Sequence, residues 1–143
     1  QPEDIGYDAN IPHGIIAAPA DQSARAEWGC YETELGGTQR GIGYGAANTT
    51  AIVNGCAEAG IAARICDDLV LNGYSDWYLP SIDELEQLYL NLHANGFGGF
   101  SSAYYWSSTE STAYTAWRFG FSSGAANYYG KEDTNYVRAV RAF

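Results

Sequence analysis

Apolar residues recur at two spacings along this chain, and the spacing changes near residue 100. The run Gly14-Ile15-Ile16-Ala17-Ala18 predicts a short strand. From Ala46 to Leu71, the positions Ile52, Val53, Cys56, Ile61, Ile65, Cys66, Leu69 and Val70 follow helical periodicity, which predicts a helix in two pieces broken near Gly60. Asn48, Thr49 and Thr50 are its candidate N-caps and Asn72-Gly73 its C-terminal stop. The next segment is more legible. Ser81 and Glu84 have the spacing of a capping box, and Ile82, Leu85, Leu88, Tyr89 and Leu92 then form one apolar stripe. Asp83, Glu84 and Glu86 suit the positive end of that helix, a role that explains them better than a catalytic pair of acids. Beyond Asn95 the pattern becomes short alternating runs between Gly, Ser and Asn. Tyr104–Ser108, Ala116–Phe121 and Tyr136–Phe143 read as strands. The second points Trp117, Phe119 and Phe121 inward, with Arg118 and Gly120 outward. The third sets Val137, Ala139 and Arg141 against Arg138 and Val140. Helices followed by strands in one small domain predict an α+β fold.

Composition narrows the function. A chain of 143 residues with 46% hydrophobic residues suits a single folded domain, residues 1–143, and it has no apolar run of the ~18 residues that a membrane span requires. A net charge of −10 repels phosphate backbones and anionic bilayers, which argues against nucleic acid as a partner and against direct membrane insertion. The charge is unevenly placed. Residues 1–100 hold fourteen acids and three bases, whereas residues 101–143 hold three acids and four bases together with six of the twelve tyrosines. Cys30, Cys56 and Cys66 lack metal-ligand spacing, which speaks against zinc. In an exported protein they make one disulfide and one buried thiol, with every pairing open.

The remaining motifs carry little catalytic chemistry. The glycine-rich stretch Gly36–Gly45 lacks the Lys-Ser/Thr of a phosphate loop and reads as a structural loop. His13 lies in an N-terminal turn and His93 near a helix end, and neither has a triad around it, so both read as solvated or capping residues and the chain as a non-enzyme. Arg138 and Arg141 are expected to pair with Glu110 or Asp76 inside the fold, and Trp106 and Trp117 to serve as scaffold. Tyrosine among Ser, Gly and Asn is different, because it offers a large contact area with few rotors to immobilise. The expected ligand-facing region is about residues 101–136, with Tyr104, Tyr114, Arg118, Ser122, Asn127, Tyr128, Tyr129, Asp133, Asn135 and Tyr136 as its contacts. Tyr105, beside Trp106, is left to the core.

Several segments together resemble one family, the C-terminal domain of the Legionella collagen-like adhesins. They are His13–Ala18, Trp28-Gly29-Cys30, Gly41-Ile42-Gly43 with Ala47-Asn48-Thr49, Ala62-Ala63 with Cys66, Gly73–Ser81 with Asp83-Glu84-Leu85, Tyr105–Glu110, and Val137–Phe143. The resemblance implies a C-type-lectin-like domain with two main helices, a small twisted antiparallel sheet joining the termini, and an irregular region that binds. It also implies an extracellular or cell-surface protein, often trimeric, recognising a protein or glycan target. The alternative is a structural or assembly module, such as a trimeric cap or fibre subunit. The same elements recur in variable proteins of diversity-generating retroelements, whose mutable AAY codons cannot reach Lys, Glu, Gln, Trp or Met. Between Ser111 and Tyr136, Trp117, Lys131 and Glu132 alone are residues that such codons cannot reach. Three features depart from related families. The calcium-binding tripeptides of sugar-binding C-type lectins are missing from the late region, so no cofactor is expected, and a structural calcium stays open. The late cysteines of formylglycine-generating enzymes are also missing. The negative charge counts against the basic surface with which adhesin relatives hold sulfated glycans.

Overall fold

The computed structural model describes residues 14–143, so His13 lies outside the described residues. Among these, the chain forms two sheets and three α-helices, an α+β architecture. Strand β1 (Ile15–Ala17) pairs antiparallel with β7 (Val140–Ala142), Ile16 opposite Arg141, and so ties the two ends of the described chain together. The larger sheet has the order β2 (Ser23–Glu27), β6 (Thr134–Val137), β3 (Tyr104–Glu110), β4 (Thr115–Gly120), β5 (Ala125–Gly130). Its neighbours are antiparallel except β6 and β3, which run parallel with Tyr105 opposite Tyr136. The expected single antiparallel sheet is therefore two sheets, one of them mixed.

Two helices are long, α1 (Gly45–Gly55) and α3 (Ile82–Asn91), and α2 (Ala62–Asp67) is short. The break between α1 and α2 falls where the periodicity put it. The expected caps do not. Helix α1 starts after Tyr44 with no side-chain cap, and Asn48 and Thr49 lie buried inside it. Their polar groups face distant backbone. The Asn48 amide accepts from the Gln39 N–H (2.8 Å) and donates to its carbonyl (2.7 Å), while the Thr49 hydroxyl accepts from the Leu79 N–H (3.0 Å). Gly45 is required at the start because a Cβ there would strike the Tyr78 ring at 2.6 Å. Helix α2 stops at Asp67. Asn72 and Gly73, with φ of 56° and 81°, instead form the turn of a small bridge between Leu71 and Tyr74, and Val70 is exposed.

Helix α3 carries the capping box. The Ser81 hydroxyl accepts from the Glu84 N–H and the Glu84 carboxylate accepts from the Ser81 N–H (2.8 Å). Ile82, Leu85 and Leu88 are buried, with Tyr89 and Leu92 half-buried beside them. A turn of 3-10 helix, His93–Asn95, follows. Gly96, at φ 80°, closes it, with bonds from Gly96 N–H to the His93 carbonyl and from Phe97 N–H to the Leu92 carbonyl. His93 packs edge-on against Phe100 and Phe121, so it is an aromatic neighbour and neither a cap nor a freely solvated side chain.

The sheet separates two apolar clusters. One holds Trp28, Ile52, Cys56, Leu79, Trp106 and Val137, the other Leu85, Phe100, Tyr105, Phe119, Phe121 and Val140. Each buried indole finds a carbonyl: Trp28 donates to Ser107 and Trp106 to Ala26, both at 2.8 Å, and Trp77 to Leu71 at 3.4 Å. The predicted final strand is broken in two. Val137, Arg138, Ala139 and Val140 are all buried, because the chain crosses here from the large sheet to the small one and exchanges alternation for burial on every side. Arg138 pairs with Asp21 (2.9 Å) and not with Glu110. Arg141 pairs with Asp76 (2.8 Å), as the sequence suggests.

The disulfide joins Cys30 to Cys56, and burial pushes the free Cys66 thiol up. The bond spans 26 residues and encloses the glycine-rich loop, so Cys30→Ala/Cys56→Ala is expected to lose about 3 to 4 kcal/mol in urea denaturation. Burial also raises the Glu84 carboxyl above its ordinary value, against N–H bonds from Ser81 and Gly43 that pull it down. A carboxyl raised on folding adds stability below its unfolded value of about 4.3 and loses it as pH climbs through the folded value. The stability of wild type minus that of Glu84→Gln, followed by urea melts, should therefore shrink as pH rises from about 4. A difference growing over that window would show the N–H donors to dominate.

Candidate binding surface

Strands β3, β4 and β5 supply half of the residues expected to meet a ligand: Tyr104, Arg118, Asn127, Tyr128 and Tyr129. Strand β5 lies at the sheet edge, and its side chains are exposed or half-buried. Its register against β4 sets Tyr129 opposite Ala116, Tyr128 opposite Trp117 and Asn127 opposite Arg118. Because directly opposed side chains share a face, this register sorts the expected contacts into groups.

On one face Arg118 is central. Its guanidinium lies 3.6 Å from the centre of the Tyr104 ring and 3.9 Å from that of Tyr129. Its Nε–H donates to Asn127 Oδ1 (2.8 Å) and its Nη1–H to Asn135 Oδ1 (3.2 Å). Asn135 is buried, and its Nδ2 has no partner among the described residues. Partial burial pulls the guanidinium below its ordinary value, opposed by the Tyr104 and Tyr129 hydroxyls and by Asp133. Tyr104, Arg118, Asn127, Tyr129 and Asn135 thus form one contiguous group, with Asp133 in the β5–β6 turn beside it.

The other expected contacts lie apart from this group. Tyr128, on the opposite face, stands edge-on to Trp117 at 5.4 Å, and Arg40 covers the same indole at 4.5 Å. Trp117 is half-buried, so it is less of a scaffold residue than Trp106, which is wholly enclosed as expected. Tyr114 sits at the β3–β4 turn against Tyr31, ring centres 5.4 Å apart. Ser122 is exposed in the β4–β5 turn. Tyr136 tilts onto the buried Tyr105 and is itself half-buried. Tyr31, Arg40 and Glu132 were not expected here. The Glu132 carboxylate beside Tyr31 holds that phenol above its ordinary value. Local sequence carries no signal for either contact, since both arise when distant loops meet the strand ends.

What fixes this surface lies beneath it. Lys131, fully enclosed at 0% exposure, donates to Glu110 Oε2 (2.7 Å) and the Thr33 carbonyl (2.9 Å), with the Trp28 ring 4.8 Å away. Glu110 also accepts from the Leu35 and Gly36 N–H groups at 2.8 Å. The β5–β6 turn is thereby bolted to the loop that follows Cys30. Cys30, Cys56 and Glu58 are the grouping with metal-ligand spacing among the described residues, but the disulfide occupies both sulfurs.

Comparison with known proteins gives one family. The family model described as the Lcl C-terminal domain matches residues 20–141. No curated protein matches the chain.

Removing one half of the buried ion pair strands the other half without compensation. Lys131→Met is expected to cost about 3 to 5 kcal/mol in chemical denaturation, and the further change Glu110→Gln to recover part of it. Equal stability of wild type and Lys131→Met would show that the pair does not hold the turn.

Proposed function

The chain belongs to the Lcl C-terminal domain family, that of the C-terminal domain of the Legionella collagen-like protein, and on that premise we propose that it is an extracellular, surface-displayed binding domain of C-type-lectin-like fold. The family is one of adhesin-related bacterial domains. In this reading the domain recognises a protein or glycan target without catalysis and without a cofactor. The observation that carries it is the exposure of Tyr114, Tyr128 and Tyr129, at 52%, 58% and 47%, on a turn and an edge strand whose supporting loops are fixed by a disulfide and a buried ion pair. Aromatic area held rigid before contact loses little entropy on binding. The disulfide suits an oxidising, exported location.

Diversification by a retroelement belongs to the same proposal. Its support is the sorting of residues 111–136: Lys131, which AAY codons cannot reach, is a buried strut, and Trp117 lies half-buried beneath Arg40, whereas Tyr114, Ser122, Tyr128 and Tyr129 are exposed and reachable. Glu132 is exposed and unreachable, and does not follow this sorting. A near-copy of the coding segment differing at adenines, beside a reverse transcriptase gene, is the genomic sign that tests it.

An assembly module is the second reading, favoured by the outer edge of β5, which no strand pairs among the described residues. Sedimentation as a stable monomer would count against it. The binding proposal is tested by probing protein and glycan arrays with the wild type and with Tyr114→Ala/Tyr128→Ala/Tyr129→Ala. The triple variant should lose at least about tenfold in bound signal, each central aromatic contact being worth ~2 kcal/mol, while its melting curve stays close to wild type. Unchanged binding by a folded triple variant would overturn the assignment of these residues.

A further inference from the structure

The seven lysine and arginine residues do not share one kind of environment. Lys131, Arg138 and Arg141 each meet a carboxylate. Arg64 bonds the carbonyls of Val53, Cys56 and Glu58. Arg25 and Arg40 are exposed. Arg118 differs in its shortage of acceptors: half-buried like Arg64, it makes two side-chain hydrogen bonds among the described residues where Arg64 makes three, and both go to neutral amides, those of Asn127 and Asn135. A guanidinium has five N–H groups, and the two bonds leave three without an acceptor among the described residues. Asn135 adds to the surplus. Its oxygen is committed to Arg118, which fixes the amide orientation and leaves the buried Nδ2 unpaired. Tyr104 and Tyr129 lie against the guanidinium at 3.6 and 3.9 Å and hold its plane, so an incoming group meets its N–H edge.

A site with surplus donors and a cation that bonds no carboxylate among the described residues is complementary to a planar anion with acceptor oxygens. We propose that Arg118 is an anchor for a single carboxylate presented by a protein target, an Asp or Glu side chain received between Tyr104 and Tyr129. The inference rests on the binding role proposed above and names the chemistry that this surface selects. A protein carboxylate is favoured over a sulfated or other polyanionic glycan by the surrounding charge. Glu132 and Asp133 occupy the adjoining turn and the whole chain stands at −10, so a dense polyanion is repelled where one carboxylate on a neutral surface is not. Charge-assisted fork bonding is the strong form of this contact.

The test is to pan a random peptide phage library in parallel against immobilised wild type, Arg118→Gln and Arg118→Lys, with circular dichroism to verify each fold. Wild type should select peptides carrying an Asp or Glu at a fixed position. Exchange of that residue for Asn or Gln should weaken binding at least about tenfold, as should Arg118→Gln, with Arg118→Lys in between because it keeps the charge and loses the fork. Selection of peptides with no acidic requirement, or of no peptides, overturns the carboxylate anchor. Neutral peptides that still need Tyr128 and Tyr129 would leave the binding function standing while removing Arg118 from it. A heparin fragment that binds wild type and competes with the selected peptides would make the occupant a polyanionic glycan and overturn the proposal, as would self-association abolished by Arg118→Gln, which would make it a second copy.

Discussion

Arg138 carries a full charge into the interior, and the rest of the fold is arranged so that the charge has partners. Its guanidinium bonds Asp21 and the carbonyls of Ala18, Gly98 and Gly99, and lies 4.1 Å from the Phe100 ring centre. Asp21 in turn accepts from the Tyr105 hydroxyl at 2.7 Å. One side chain thus gathers the segment after β1, the loop after α3, the central strand β3 and the crossing between the two sheets. An unpaired buried guanidinium would cost several kcal/mol, so these segments are constrained to arrive together. The same constraint explains why the last strand is not continuous: the chain leaves the large sheet at Val137 and joins β1 at Val140, and Arg138 occupies the crossing.

Around that hub the loops are held by backbone bonding more than by apolar burial. The glycine-rich segment gives its backbone to Asn48, Ser81, Glu84 and Thr109, side chains on two helices and a strand. Glycine there permits close approach, and the polar groups that such an approach buries are satisfied at once. The disulfide and the Lys131–Glu110 pair fix the neighbouring loops. The tyrosines at the sheet edge consequently rest on a base with little freedom, which is the condition under which exposed aromatic area is useful for recognition.

Legibility in the sequence followed the range of the interactions involved. Ser81 with Glu84, the stripe through Leu85 and Leu88, and the alternation of Phe119 with Arg118 are set by neighbours within a few residues, and all of them appear in the structure. The α1 cap, the end of α2, strands β2 and β5 and the division of the last strand were not legible. For the α1 cap and the last strand a distant group decides: Gln39 claims Asn48, and Asp21 claims Arg138. Strand β5 has the added difficulty that an edge strand exposed on both faces carries no alternation. The grouping around Arg118 was readable in part. Alternation put Arg118 outward, but its union with Asn135, and that of Tyr114 with Tyr31, depends on sheet order and loop packing.

Arg118 and Arg138 show how much a bonding inventory adds to residue type. Both are arginines on strands or strand ends of the final third, both stack on aromatic rings, and both bond residues outside their own strand. Arg138 has a carboxylate and three carbonyls and is closed to solvent, so its chemistry is complete within the fold. Arg118 has two neutral amide oxygens, and one of those amides is itself left with a buried, unpaired nitrogen. Folding selects for the first arrangement, because every donor it buries is answered. The second carries a desolvation cost that no group among the described residues offsets, and the proposed acceptor from outside would offset it.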